Sequence, residues 1–277
     1  MSGTQRTRVV VAAGGLGTRV AGWARFLPKE FLPVDGRPGI VHILEEIAQL
    51  GPAHAVIVHH PYYAPFAVWA RQALCEDSRT RYLQAAGQDF TEPDRYKHLL
   101  VEFVAQRGPY ADLTSVFNAA DHLATTPGGP DELYVVFSDN LYPESRPLID
   151  LAKAPAGVSV LARPYRDDLA AQRGVIATTP GQRHRQVESL TEKPGDTAAQ
   201  ALEREHGRHN LLLLEGRARL SPDFITFARA RVWPSNVEPK LALMIGAYAR
   251  AHPVHVIPTS GDVIDLGTPG LRMAARG

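Results

Sequence analysis

Short apolar runs alternate with amphipathic stretches from one end of the chain to the other. Val9-Val10-Val11-Ala12-Ala13 reads as a buried strand that stops at Gly14-Gly15. After Pro38, the residues Ile40, Ile43, Leu44 and Ile47 recur at i, i+3, i+4 and i+7. That spacing predicts a helix, with Gly51 in the place of a C′ glycine. Ala55 to Val58 and Leu99 to Val104 are the next strands, followed by a helix carrying Val116, Ala119, Ala120 and Leu123. Leu133 to Phe137 is a further strand, ending in Ser138-Asp139-Asn140. The second half continues with strand runs at Val158 to Ala162, Gly174 to Ala177, Val187 to Leu190, Leu211 to Leu214, Val254 to Ile257 and Val263-Ile264. Pro222 opens one helix there, and Val237 to Ala251 forms a longer one.

Strands separated by helical patterns predict an α/β fold, with a mixed, mostly parallel sheet and helices on both faces. Ligands of such sheets bind beyond the carboxyl ends of the strands. Chemistry is therefore expected in the loops after Ala13, Val104 and Phe137. No internal repeat, low-complexity tract or Ser/Gly-rich linker divides the chain, and Pro127-Gly128-Gly129-Pro130 reads as a surface turn. A single domain over residues 1–277 is expected, long enough to hold a core without staples.

Composition narrows the partners. Thirty Lys and Arg residues against 29 Asp and Glu leave a net charge of +1, which is no electrostatic footprint for nucleic acid or an anionic membrane. No run approaches the ~20 apolar residues of a membrane span. The apolar stretch from Val9 to Ala13 is too short for a signal-peptide core, so a cytoplasmic protein is expected. Cys75 is the only cysteine; this excludes an intrachain disulfide and a thiolate metal cluster, and Cys75 reads as a small buried apolar residue.

The segment Ala12-Ala13-Gly14-Gly15-Leu16-Gly17-Thr18-Arg19 directly follows the first strand. Glycines in such a turn let the backbone approach a ligand closely and expose N–H groups to phosphate oxygens. A Walker-type loop requires Gly-Lys-Ser/Thr at its end, and Thr18-Arg19 is not that. A dinucleotide fingerprint requires a third glycine at position 20 and an acidic residue ending the second strand; the chain has Val20 and His59-His60. Those two histidines do not read as a metal pair, because adjacent side chains on a strand point to opposite faces.

Beyond a short spacer comes Leu27-Pro28-Lys29-Glu30-Phe31-Leu32-Pro33-Val34. The glycine turn and this segment together resemble the signature of the nucleoside-diphosphate-sugar pyrophosphorylases, the sugar-1-phosphate nucleotidyltransferases. The match is closest to bacterial UTP–glucose-1-phosphate uridylyltransferases. The resemblance continues through VVFSDNLYP (135–143), RGVI (173–176), LTEKP (190–194), RLSPDF (219–224) and VIDLGTPGLRMA (263–274), and covers roughly residues 8–275. It implies a Rossmann-like nucleotidyltransferase fold of the glycosyltransferase-A type. Residues 8–140 or so would be its nucleotide-binding half and 141–277 its sugar-phosphate-binding half.

The reaction so implied is in-line attack by a phosphate oxygen of a sugar 1-phosphate on the α-phosphorus of a nucleoside triphosphate, UTP being favoured, with Mg²⁺ as cofactor. Both reactants are polyanions, so this chemistry needs charge neutralisation and alignment rather than a nucleophilic Ser or Cys. By resemblance, Arg19 faces the leaving pyrophosphate, Lys29 the triphosphate near the reacting phosphorus and Lys193 the sugar phosphate. The nucleotide falls to Ala13, Gly14, Gly15, Gln106, Gly108 and Asp112, and the sugar to Gly174 and Glu192 alongside Lys193. Asp139 and Asp265 would hold Mg²⁺. Neither nucleic acid nor membrane is an implied partner, and a homo-oligomer is compatible.

Each residue also has a plainer reading. Lys29-Glu30 fits a solvated pair, Asp139 a helix N-cap or turn residue and Asp265 a turn before Gly267. Glu192-Lys193 fits an exposed turn and Gln106 a polar strand end. The chain also departs from the pattern twice. Relatives carry a proline and a threonine in the spacer where this chain reads Val20-Ala21-Gly22-Trp23-Ala24-Arg25, although Arg25 keeps a basic residue. In the base loop, Arg107-Gly108-Pro109-Tyr110-Ala111-Asp112-Leu113-Thr114, Ala111 or Asp112 stands where a second glycine is expected. The segment from Glu203 to Asn210 has no counterpart, so base and sugar stay open. The alternatives are cytidylyl or other nucleotidyl transfer to a non-hexose or carbocyclic phosphate, and a non-catalytic nucleotide-sugar-binding subunit. The presence of Arg19, Lys29, Asp139, Lys193 and Asp265 weighs against the last.

Overall fold

The computed structural model describes residues 6–74, 85, 98–125, 132–179, 185–233 and 237–268. Cys75, the 127–130 turn and the end of the last motif lie outside them. The strands in chain order are β1 (Thr7–Ala13), β2 (Pro33–Val34), β3 (Arg37–Pro38), β4 (Ala53–His59), β5 (Leu99–Ala105), β6 (Leu133–Phe137) and β7 (Asn140–Leu141). They continue with β8 (Val158–Pro164), β9 (Gly174–Thr178), β10 (Val187–Glu192), β11 (Leu211–Leu220), β12 (Val254–Pro258) and β13 (Ile264–Asp265).

Nine of these strands form one sheet, with β10-β9-β11-β6-β1-β4-β5 in line and β8 and β12 joined to it through β11. Strands β1, β4, β5, β6, β8, β9 and β12 run one way, while β10 and β11 run against them. The sheet is thus mixed and mostly parallel, as the alternating pattern predicts. Its central strands are apolar at almost every position because both faces are covered. On one face Val10, Val56 and Val135 pack with Leu113, Val116 and Leu123 of the helix Asp112–Ala124. On the other, Val9, Val11 and Ile57 pack with Ile40, Ile43 and Ile47 of the helix Gly39–Ala48 and with Leu148 and Leu151 of the helix Pro147–Ala152. A smaller cluster sets Ala199 of the helix Asp196–His206 on Val175, Leu211 and Leu213.

Two elements differ from the periodic reading. The helix expected over 237–251 spans Leu241–Ala249. Pro239 disfavours helical backbone at the residue before it, and Lys240 is extended at φ −85° and ψ 137°. Strand β11 runs six residues beyond Leu214, through Glu215, Arg217 and Arg219, which interrupt the apolar run yet are buried. Among the described residues no helix is long and apolar enough to cross a membrane.

Candidate active site

The carboxyl ends of β1, β5 and β6 open onto a cleft of about 680 Å³. At the end of β1 the chain turns through Gly14 and Gly15. A Cβ on Gly14 would stand 2.2 Å from Gln106 Oε1, so a side chain there would push the Gln106 amide out of its present place. Gly17 has φ +61°, a left-handed conformation that precedes the one-turn segment Thr18–Val20 carrying the exposed Arg19. Gln106 is buried directly after β5. Its Nε2 donates to the carbonyls of Pro109 (3.0 Å) and Ala111 (3.4 Å), and its Oε1 accepts from Ser115 Oγ (3.1 Å). The glutamine therefore ties the loop from Arg107 to Ala111 together beside Gly14.

Asp112 closes that loop from the other side. Its Oδ1 accepts from the backbone N–H groups of Leu113 (2.6 Å) and Leu241 (2.7 Å), which joins the starts of two helices. Burial pushes its carboxyl up to about 6 against the pull of those two N–H groups, and nearby Glu192 and Glu238 push the same way.

Lys29 lies in the short turn Lys29–Phe31, buried, and donates through Nζ to Asp139 Oδ2 just past β6. Burial disfavours its charge, but Asp139, Glu30 and Asp265 outweigh burial and hold the ammonium above its ordinary range. Burial would likewise raise Asp139, and the Lys29 ammonium, with a share from Arg173, holds it below. Lys29-Glu30 is no solvated pair. Glu30 is fully buried, its Oε1 is 2.7 Å from Ser138 Oγ, and burial raises its carboxyl above the usual range despite Lys29.

Asp265, distant in sequence, reaches the same place through backbone pairing. Strands β7 and β13 set Asp265 opposite Asn140, and Leu266 N–H donates to the Asp139 carbonyl at 2.8 Å. Asp265 Oδ1 also accepts from Gly267 N–H at 2.7 Å, as the turn reading expects, and the same residue lines the cleft.

Across the cleft, Gly174 opens β9, and a Cβ there would stand 3.3 Å from Glu192 Oε2. Glu192 ends β10 and pairs with Lys240 (3.4 Å) and Lys193 (3.9 Å). Lys193 has φ +47°, a left-handed conformation unusual for a side-chain-bearing residue, and its exposed ammonium lines the cleft. Two expected residues stay out of the lining. Ala13 packs into the core on the far face, and Ala12 lines the cleft in its place, because neighbouring strand residues face opposite ways. Gly108 sits in the loop after Gln106 with φ +97°.

The sequence reading missed Arg173, Lys240 and Glu215, all of which line the cleft. Arg173 lies 3.8 Å from Asp265 Oδ2, 3.7 Å from Glu215 Oε2 and 3.4 Å from Asn140 Oδ1. Glu215 is buried, accepts from Tyr142 Oη at 2.9 Å and pairs with Arg163. The signal available for Glu215 was the charged series Glu215, Arg217, Arg219 inside an apolar run, since buried charges require partners. With Arg19, Lys29 and Lys193, the cleft presents five cationic side chains interleaved with six carboxylates, those of Asp112, Asp139, Glu192, Glu215, Glu238 and Asp265. Of the cations, Arg19 and Lys193 are exposed to an incoming anion.

Residues 8–209 match the family model for nucleotidyl transferases. UTP–glucose-1-phosphate uridylyltransferase 2 of Staphylococcus saprophyticus is 27% identical over 275 residues, covering 94% of this chain and 87% of that protein. Mannose-1-phosphate guanylyltransferase regulatory subunit alpha of Sus scrofa is 31% identical over 134 residues, 48% of this chain and 27% of that one. A solved UDP-glucose pyrophosphorylase complexed with UDP-glucose shares the fold, with a TM-score of 0.73 at 16% identity over 95% of this chain and 94% of that one.

Proposed function

The chain belongs to the nucleotidyl transferase family, and on that premise we propose that it joins UTP and a sugar 1-phosphate into a UDP-sugar with release of pyrophosphate. The observation that carries this reading is the convergence of Arg19, Lys29, Lys193, Asp139 and Asp265 on one cleft. A phosphate oxygen of the sugar 1-phosphate forms a bond to the α-phosphorus as the bond to the β-phosphate oxygen breaks. The work of the protein is to bring two polyanions together and hold them in line.

In this reading the N–H groups around Gly14 and Gly15 and the loop tied by Gln106 and Asp112 hold the nucleotide. Arg19 braces the departing pyrophosphate. Lys29, whose charge is secured by the surrounding carboxylates, lies beside the α-phosphate. Lys193 holds the sugar phosphate while Glu192, fixed by Lys240, accepts from a sugar hydroxyl. The carboxylates of Asp139, in the turn just before β7, and Asp265, on the strand β13 that pairs with β7, are partly balanced by Lys29 and Arg173 and are a hard-oxygen donor set that fits Mg²⁺. Mg²⁺ there would neutralise phosphate charge between the two substrates.

A pyrophosphate-release assay crossing the common triphosphates with a panel of sugar 1-phosphates tests the reading. The highest rate is expected with UTP and a hexose 1-phosphate. A preference for CTP with a non-hexose or carbocyclic phosphate would change the substrate class, and no release with any pair would favour a binding subunit. Asp139→Asn and Asp265→Asn are each expected to lower turnover about 100-fold or more, a loss in the range seen when one charge-stabilising group is removed. If the two hold one ion, the double variant loses far less than the product of the single losses. Multiplicative losses would reject the shared site.

A further inference from the structure

At the edge of the sheet opposite the cleft, three side chains from three elements meet. His54 is the second residue of β4, Glu102 lies on β5 and His122 is in the last turn of the helix Asp112–Ala124. Register sets Glu102 beside Val56, so Glu102 shares a sheet face with His54, and the helix lies across that face. His54 Nε2 is 2.5 Å and His122 Nε2 2.9 Å from the same oxygen, Glu102 Oε2. The three ligand atoms all lie within 4.8 Å of one another. The two rings meet edge-on, 75° apart, with both Nε2 atoms turned toward the carboxylate.

The geometry points to a binding site for a borderline divalent transition-metal ion, Zn²⁺ or a chemical equivalent, held by His54, Glu102 and His122. Two imidazoles and one carboxylate are a donor set that suits Zn²⁺, and soft thiolate ligands are not among them. Zinc at ~2.0–2.2 Å from each donor would place the donors ~3.3 Å apart. The two imidazole–carboxylate spacings, 2.5 and 2.9 Å, are shorter than that and all three atoms stay within 4.8 Å, so the carboxylate oxygen would step back to admit the ion. His54 is 6% exposed, while Glu102 and His122 are 37% and 33% exposed, which leaves a path from solvent and an open coordination position.

In the present arrangement both Nε2 atoms face the Glu102 oxygen as hydrogen-bond donors, so an ion binding there takes the place of each Nε2 proton, which passes to Nδ1 or to solvent. Arg6 adds positive charge near His54 and opposes a cation, but it is exposed and screened by solvent. Bound there, the ion would pin the far end of the helix whose first residue, Asp112, shapes the cleft.

The test uses the full chain stripped with chelator, reloaded with Zn²⁺ and passed over a sizing column, with metal content and thermal midpoint measured. Wild type and the Asp139→Asn/Asp265→Asn double variant, which lacks the cleft carboxylates, are expected to retain one zinc per chain and to melt higher with Zn²⁺. His122→Ala and Glu102→Gln, both at part-exposed positions, are expected to bind at least tenfold more weakly and to lose the rise in midpoint. Should either variant fold poorly, the other carries the test. No retained zinc in wild type, or equal retention in His122→Ala and Glu102→Gln, would overturn the assignment.

Discussion

Asp112 shows how one residue can answer to two demands. Its Oδ1 serves two backbone N–H groups, while burial lifts its carboxyl from 3.8 to about 6. Between those values the folded protein holds a proton that the unfolded chain has released. The group's contribution to stability is therefore full below the unfolded value and is lost as pH rises through about 6. Asp112→Asn keeps the acceptor oxygen without the charge. Its stability relative to wild type should rise between about pH 4 and pH 7, by up to about 3 kcal/mol. Urea midpoints across that range check it, and a difference independent of pH would place the titration elsewhere. Nothing local in the sequence announces this residue's second partner, because Leu241 lies in a distant helix. Arg19 and Lys29 were legible because each sits in a contiguous motif next to β1. Arg173 and Lys240 were not, since each reaches the cleft through the packing of β9, β10 and the helix Leu241–Ala249.

Strand β11 is where an element-level reading stops short, and the reason is chemical. Arg217 is wholly buried, donating to Glu46 through Nε (3.0 Å) and Nη2 (2.7 Å) and to the carbonyls of Phe137 (3.1 Å), Gly216 (2.9 Å) and Asn140 (2.8 Å). It thereby clasps both sides of Asp139 and ties them to the helix Gly39–Ala48. A charge inside a strand looks like an interruption until its partner is found, and Glu46 is on another element. Arg217→Met should destabilise by about 3–5 kcal/mol because it strands the Glu46 carboxylate. Adding Glu46→Leu should recover at least half of the loss, as followed by denaturant unfolding. A double variant no more stable than the single would show that the carbonyl contacts, and not the ion pair, hold this junction.

On the scale of the molecule, the β11 backbone bonds to β6 at one end and β9 at the other, so the sheet runs unbroken from the glycine turn to Glu192. The two halves suggested by the sequence motifs share that strand, and they should unfold together. Tryptophan fluorescence and far-ultraviolet circular dichroism are expected to give coincident transitions, whereas two separated steps would divide the chain into independent units. The order of strands along the sheet was not legible, because periodicity reports which face is buried and says nothing about which neighbour lies alongside. The unbroken sheet also acts as a ruler. The distance from the glycine turn to Glu192 is spanned by hydrogen-bonded backbone, fixed when the chain folds. In the proposed reaction, part of the translational and rotational entropy of arranging two anions for attack would then be borne in advance, as high effective molarity.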